Sequence, residues 1–307
     1  MTNVSQSEKI ALVAISSAIT AVLVYRWSKT PGRNVPDEDD FVAHQGEPGA
    51  QQQKQGDGDD RHFHVPYIHQ RLALWQIRRR SEKLLRNCQQ RRTLRFFSND
   101  AVPKDVISNI LQTAATAPSG AHKQPWTFVA IKDPRIKQKI RAMVEEEETI
   151  NYKSRMRKTW VDDLKPMMSS LHQEMAATTN GEASSSSPPP NIRIEKPYLT
   201  EAPWLIAVFK QTHGGLDPDT GKRIDHYYVQ ESVGIACGFL CAAIQNANLC
   251  TLTSTPMGAE KGIRELLDRP DNEKLFLLLP VGFPAAGATV PYRNPERKPS
   301  SETIVWK

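Results

Sequence analysis

The sequence is poor in cysteine, and its cysteines show no metal-ligand pattern. The residues are Cys88, Cys237, Cys241 and Cys250, without the paired spacings of zinc or iron–sulfur ligands. Cys237 and Cys241 are one helical turn apart in an apolar stretch, where small buried thiols are expected. The sequence therefore gives no reason to invoke a metal centre, and it favours a reducing compartment for most of the chain.

The sequence also lacks a basic stretch interleaved with aromatic residues. The net charge of +6 comes largely from arginines and lysines between Arg78 and Arg95. Without alternating aromatic residues these cations do not indicate nucleic-acid binding, and phosphate binding explains them more economically. The hydrophobic and charged fractions, 39% and 24%, are those of a globular protein that also carries polar tracts.

The N-terminal part contains one uncharged apolar run, over residues 10–25. It is slightly shorter than the roughly 20 residues that cross a bilayer, but Trp27 and flanking lysines can extend it. No small-residue cleavage pattern follows, which disfavours a signal peptide. Because basic residues are more numerous after the run than before it, we predict a single-pass anchor over 1–30 with the rest of the chain cytosolic. Residues 31–66 are rich in Gly, Gln and Asp and predict a flexible linker to a globular domain over 67–307.

Residues 91–131 are the most informative stretch. Arg91, Arg92 and Arg95 surround Thr93, and such donors suit a phosphorylated ligand. The alternative is a solvated basic run that ends a preceding helix. A helix is predicted from Val106 to the Pro-Ser-Gly turn at 118–120, followed by a buried strand over 126–131.

The remaining segments predict an α+β domain with three layers. We expect a helix from Pro134 to about residue 164, further strands at 204–209, 251–255 and 275–283, and an apolar helix over 225–249. Glu148 and Tyr152, four residues apart, share one face of the first helix. The polar residues 167–195, which include SSSSPPP, predict a disordered insertion.

Three motifs resemble the nitroreductase flavoprotein family. They are A-P-S-G-A-H-x-x-P-W-T-F-V at 117–129, E-E-E-x-I-N-Y at 146–152 and K-x-Y-L-x-x-A-P at 196–203. Within the family, they resemble the branch that removes iodide from mono- and diiodotyrosine, over about residues 85–307. The resemblance implies a three-layer α/β/α sandwich with a mixed central sheet, an intertwined homodimer, and NADPH as the ultimate reductant, used directly or through a partner reductase.

The same resemblance implies roles for individual residues. One set would hold the phosphate and ribityl chain of FMN: Arg91, Arg92, Thr93, Arg95 and Arg297. A second set would contact the flavin ring: Pro118 and Ser119 of the partner subunit, with Thr253, Ser254 and Thr255 along the isoalloxazine edge. The Thr255 hydroxyl would hydrogen-bond N5 of the flavin. The substrate would be held by Glu148 on its ammonium, by Tyr152 and Lys196 on its carboxylate, and by the Ala121 N–H on its phenolate oxygen.

Two alternatives remain at this point. A general nitroreductase or quinone reductase of the same fold would not need Glu148, Tyr152 and Lys196. A non-enzymatic, membrane-tethered adaptor would leave the arginine cluster and residues 253–255 unexplained, and it would be colourless when purified.

Overall fold

The computed structural model describes residues 67–168, 194–290 and 297–307, without the side chains of 165–168. The chain divides into units 1–69 and 70–307. Of the first unit, only Tyr67, Ile68 and His69 are described. The predicted anchor, the linker up to residue 66 and most of the predicted insertion lie outside the described residues. Within the described ranges, no helix combines the length and the apolar content needed to cross a membrane.

The second unit alternates helices with the strands of a central sheet. The helices are α1 (Leu74–Gln90), α2 (Lys104–Ala115), α3 (Pro134–Ile150), α4 (Lys158–Met168), α5 (Tyr198–Glu201), α6 (Val229–Asn246), α7 (Glu260–Leu266) and α8 (Ser300–Thr303). The strands are β1 (Trp126–Ile131), β2 (Trp204–Gln211), β3 (His213–Leu216), β4 (Arg223–Asp225), β5 (Cys250–Thr251) and β6 (Glu273–Gly282). The central sheet has the order β1-β2-β6-β5, and β3 and β4 form a separate hairpin.

The neighbouring strands of the central sheet pair antiparallel. Within the described residues, parallel pairing occurs in one isolated bridge, between Thr93 and Thr251. The described strands of the central sheet are therefore antiparallel, and the parallel pairing expected of a mixed sheet is limited to this bridge. The bridge matters for the site because it fixes the arginine segment alongside β5.

Strand β2 is buried on both faces, and its alternating side chains define the three layers. Ile206 and Val208 belong to a core with α2 and α6 on one side of the sheet. Leu205, Ala207 and Phe209 belong to a second core with α3, α5 and α7 on the other side. Because successive side chains of a strand point to opposite faces, one central strand supports helices on both sides. The predicted α/β/α sandwich is confirmed.

Two predicted helices have different bounds in the structure. The helix that starts at Pro134 ends at Ile150 and continues into a π turn over Asn151–Arg155, so the prediction of one helix to about residue 164 was wrong. The predicted helix over 225–249 begins only at Val229, because Asp225 pairs with His213 in the hairpin.

Candidate functional site

The arginine segment lies beside the edge strand β5. The Leu94 N–H donates to the Thr251 carbonyl at 3.2 Å, next to the Thr93–Thr251 bridge. Arg91 and Arg95 are partly buried, and neither forms an ion pair with a carboxylate of the described chain. Partly buried guanidiniums without an acidic partner are suited to an anionic ligand such as phosphate.

The hydroxyl residues that follow β5 face two directions. Ser254 exchanges backbone hydrogen bonds with Leu278, at 2.9 and 2.8 Å. Its side chain is partly buried and acts to lower the pKa of the Tyr198 hydroxyl, whereas Thr253 and Thr255 are exposed. Since neighbouring side chains of an extended segment point to opposite sides, Thr253 and Thr255 offer their hydroxyls to a ligand. Ser254 instead faces Tyr198, which lies beside the polar cluster described next.

Glu148, Tyr152 and Lys196, which the motifs single out, are brought together by the fold. The Lys196 ammonium lies 3.3 Å from a carboxylate oxygen of Glu148. The same ammonium lies 5.4 Å from the centre of the Tyr152 ring. Tyr152 is hydrogen-bonded to Glu148. Lys196 and Glu148 are only 5% and 8% exposed, so these charges lie in the interior rather than on a solvated face.

The environment of this cluster shifts the pKa values of Tyr152 and Lys196, and also that of the neighbouring Tyr198. Burial raises the pKa of Tyr152, and the negative charge of Glu148 acts in the same direction. Burial likewise raises the pKa of Tyr198, although the positive charge of Arg95 opposes it. Burial lowers the pKa of Lys196, and Glu148 partly offsets this effect. Both tyrosines therefore remain neutral hydrogen-bonding groups, and Arg95 lies close enough to link the arginine segment with the cluster.

The π turn after α3 is held by a residue that sequence reasoning missed. Asn151 is fully buried, and its amide donates to the Met257 carbonyl at 2.8 Å. The Arg155 guanidinium donates to Asn151 Oδ1 at 3.3 Å and pairs with Glu147. Because π turns interrupt helices frequently at functional sites, the turn itself is informative. In the sequence, the only indication of this turn was the asparagine of the E-E-E-x-I-N-Y motif.

The turn over residues 118–121 packs elsewhere, against the start of α6. The Gly120 N–H donates to the Ser232 hydroxyl at 3.2 Å. A Cβ at Gly120 would lie 2.7 Å from the Tyr227 carbonyl oxygen, so only glycine fits there. Ala121 is exposed, has a φ of 49°, and its N–H makes no hydrogen bond within the described chain. That N–H is therefore available to a ligand.

The described contacts of one chain do not join this turn to the cluster around Lys196. Arg297 is exposed and directly follows residues 291–296, which lie outside the described ranges. The contact of Arg297 with the flavin phosphate therefore stays a prediction.

Comparisons with known proteins agree with this geometry. The model of the Nitroreductase family matches residues 88–283. The chain is 45% identical to iodotyrosine deiodinase of Hydra vulgaris over 78% of its own length and 79% of that protein. It is 44% identical to iodotyrosine deiodinase 1 of Homo sapiens over 79% of its length and 74% of the relative. It is 48% identical to iodotyrosine deiodinase of Daphnia pulex over 74% of its length and 67% of the relative.

A crystal structure of oxidized iodotyrosine deiodinase bound to FMN and 3-iodo-L-tyrosine is similar in fold. The TM-score is 0.53 and the identity 26%, over 70% of this chain and 96% of the other. The chain belongs to the nitroreductase family of flavoproteins and, within it, to the iodotyrosine deiodinases.

Proposed function

We propose that this protein binds FMN and reductively removes iodide from mono- and diiodotyrosine. The observation that carries the proposal is the buried cluster of Glu148, Tyr152 and Lys196 beside Arg95 and Ser254. A general nitroaromatic reductase has no need for a buried ion pair that can recognise an amino acid. The deiodinase relatives support the same assignment.

The residues present fit FMN. Arg91 and Arg95 offer partly buried guanidiniums that have no carboxylate partner among the residues the structure describes, and Arg92 and Thr93 add donors in the same segment. The exposed hydroxyls of Thr253 and Thr255 follow β5 directly, and Thr255 would donate to N5 of the flavin. Pro118 and Ser119 of the partner subunit would contact the ring from the other side, and Arg297 would add a phosphate contact. When bound, FMN supplies the two electrons that, with a proton, replace the carbon–iodine bond by carbon–hydrogen and release iodide.

The chain would orient the substrate through charge complementarity. Glu148 accepts hydrogen bonds from the substrate ammonium, while Lys196 and the Tyr152 hydroxyl donate to its carboxylate. The Ala121 N–H, carried by the 118–121 turn of the other subunit, would donate to the phenolate oxygen and stabilise negative charge there as iodide departs. A closed, water-poor site strengthens each of these contacts.

The shared site requires a homodimer, and several exposed apolar surfaces support one. On α6, Ile235 and Phe239 are 44% and 40% exposed on the face that also carries Gly234 and Gly238. Helix α1 has no buried residue, although it carries Trp75 and several leucines. Exposed apolar patches of this kind mark association surfaces. The proposed dimer would bury them and bring the 118–121 turn to the partner's flavin.

The proposal also includes NADPH as the ultimate reductant and the membrane anchor at the N-terminus. The anchor rests on the uncharged run at 10–25 and its basic flank. Carbonate extraction of full-length protein from membranes should leave it in the pellet. Release of the full-length protein by carbonate would remove the anchor from the proposal.

The experiment that tests the function is an anaerobic titration of the reduced, FMN-loaded protein with 3-iodotyrosine. Flavin oxidation should accompany stoichiometric release of iodide and tyrosine. In Glu148→Gln, iodotyrosine binding should weaken about 30-fold to several thousandfold, because removing one partner of a buried charge pair costs about 2–5 kcal/mol. Binding of 2-iodophenol, which lacks the amino-acid group, should hardly change.

The matched control is Glu146→Gln, since Glu146 is exposed on α3 two residues away. Oxidation of the reduced flavin by nitroaromatics but not by iodotyrosine would replace the proposal with a general nitroreductase. Equal losses of iodotyrosine and iodophenol binding in Glu148→Gln would remove the amino-acid recognition role from Glu148.

A further inference from the structure

Glu145 is a second acidic residue of α3 that faces the interior, and it contacts the backbone of Lys196. Its Oε1 accepts a hydrogen bond from the Lys196 N–H at 2.6 Å. The same oxygen accepts one from the Arg141 guanidinium, also at 2.6 Å. Only about a quarter of each side chain is exposed, with 25% for Glu145 and 27% for Arg141. The acidic run at 145–148 is therefore not simply a solvated face.

Two further residues of α3 hold the chain that follows Lys196. Arg141 donates to the Thr200 hydroxyl at 3.1 Å. Lys137 is buried and donates to the carbonyls of Thr200 and Ala202, at 3.0 and 2.6 Å. Lys137, Arg141 and Glu145 are spaced four residues apart, so they form one row along the helix. This row fixes residues 196–202 against α3 through their backbone and the Thr200 hydroxyl.

We propose that Glu145 is a positioning residue for substrate recognition, acting through Lys196. The proposal rests on the proposed function, in which the Lys196 ammonium binds the carboxylate of iodotyrosine. A lysine side chain is long and flexible, and its charge is placed accurately only if its backbone is fixed. Glu145 fixes that backbone at the residue itself, three positions before Glu148 on the same helix. The carboxylate oxygen that holds Lys196 is in turn oriented by Arg141.

The geometry predicts a graded effect of substitution. Both hydrogen bonds use one oxygen of Glu145, so Glu145→Gln keeps an acceptor in place and loses only its charge. Glu145→Ala removes the acceptor altogether. Hydrogen bonds to charged groups are the stronger ones, so we expect Glu145→Ala to weaken iodotyrosine binding about 10- to 100-fold. Glu145→Gln should give an intermediate loss.

The test uses full-length, FMN-loaded protein and the variants Glu145→Ala, Glu145→Gln, Glu146→Gln and Glu148→Gln. Dissociation constants for 3-iodotyrosine and 2-iodophenol are measured by quenching of flavin fluorescence. Amide hydrogen exchange over residues 194–202 is followed without ligand. The expected result is selective loss of iodotyrosine binding in the Glu145 variants, faster exchange around Lys196, and no change in Glu146→Gln.

The outcomes separate this inference from the proposed function. If the unmodified protein does not prefer iodotyrosine over iodophenol, the proposed function fails. If Glu148→Gln loses that preference while both Glu145 variants keep it, only the positioning role is wrong. Equal losses for both ligands in Glu145→Gln would mean that Glu145 supports the fold and does not position Lys196. Should Glu145→Ala not fold, the nearly isosteric Glu145→Gln still decides the question.

Discussion

The Lys196 ammonium and the Glu148 carboxylate form an ion pair of 3.3 Å in the interior of the protein. The two residues come from different segments, one from the end of α3 and the other from just before α5. An amino-acid ligand presents one charge of each sign, so it can engage both members of such a pair. In the proposed site, the pair would set both the orientation and the class of the ligand.

The first prediction concerns the pH dependence of iodotyrosine binding. Burial lowers the pKa of Lys196 from its ordinary value of 10.5. The ligand carboxylate requires the protonated lysine, so affinity should be retained below the lowered pKa and lost as the pH rises through it. Lys196→Arg keeps its charge throughout this range. The measurement is the ratio of iodotyrosine to iodophenol dissociation constants against pH, for the unmodified protein and the variant.

Ionisation of the ligand affects the pH curves of both proteins equally, so the difference between the two curves reports only on residue 196. The unmodified protein should lose selectivity at a lower pH than Lys196→Arg. Superimposable curves for the two proteins would contradict a binding role for the Lys196 charge.

The second prediction concerns retention of FMN. Replacing Arg92 and Arg95 together by Ala should lower FMN affinity by more than about 100-fold, because each charge-assisted hydrogen bond contributes about 1.5–3 kcal/mol. The measurement is the flavin absorbance per subunit after gel filtration, with circular dichroism to verify folding. Arg78 and Arg79, which are exposed on α1, provide the matched double-alanine control. Full FMN occupancy in the Arg92 and Arg95 double variant would rule out the phosphate assignment.

The third prediction concerns assembly. Phe239 lies on the exposed face of α6 beside Gly238. Phe239→Asp would place a charge in the proposed subunit interface, where burial without a partner costs several kcal/mol. Light scattering should show a dimer for the unmodified protein and a monomer with reduced FMN content for the variant. The matched control is Lys139→Asp, which introduces an aspartate at an exposed position of α3. This variant should remain dimeric. A monomeric unmodified protein that still turns over iodotyrosine would contradict the shared site.

The fourth prediction concerns the π turn. Asn151→Ala removes the donor to the Met257 carbonyl in a fully buried position. An unsatisfied buried acceptor costs about 1–3 kcal/mol, so the midpoint of chemical denaturation should fall accordingly. Asn109→Ala, exposed on α2, should change the free energy of unfolding by no more than about 0.5 kcal/mol. Equal stabilities of the two variants would show that the Asn151 contact contributes little.

The layers of the fold were predictable from sequence, whereas the breaks in its elements were not. The strand at Trp126–Ile131 and the apolar face of α2, with Ile107, Ile110 and Ala114 buried, follow from local periodicity. The end of α3 depends on Asn151 reaching Met257, which is 106 residues away. No local pattern reports such a contact.

The same distinction applies to the site. The motifs singled out Glu148, Tyr152 and Lys196, and the structure brings them together. The acidic run gave no indication that Glu145 turns inward, because its partner is the backbone of a residue 51 positions later. Tyr198 was noticed only as part of a motif, and its proximity to Ser254 and Arg95 became apparent only from the fold.

The row of Lys137, Arg141 and Glu145 along α3 has a consequence for where substitutions far from the ligand are felt. These three side chains bind the backbone and the Thr200 hydroxyl of residues 196–202, so α3 itself helps to set the position of Lys196. Arg141 orients Glu145, and Glu145 holds the Lys196 N–H. A substitution at Arg141 should therefore reach the ion pair through two successive contacts, and α3 acts as a lever between its polar surface and the buried lysine.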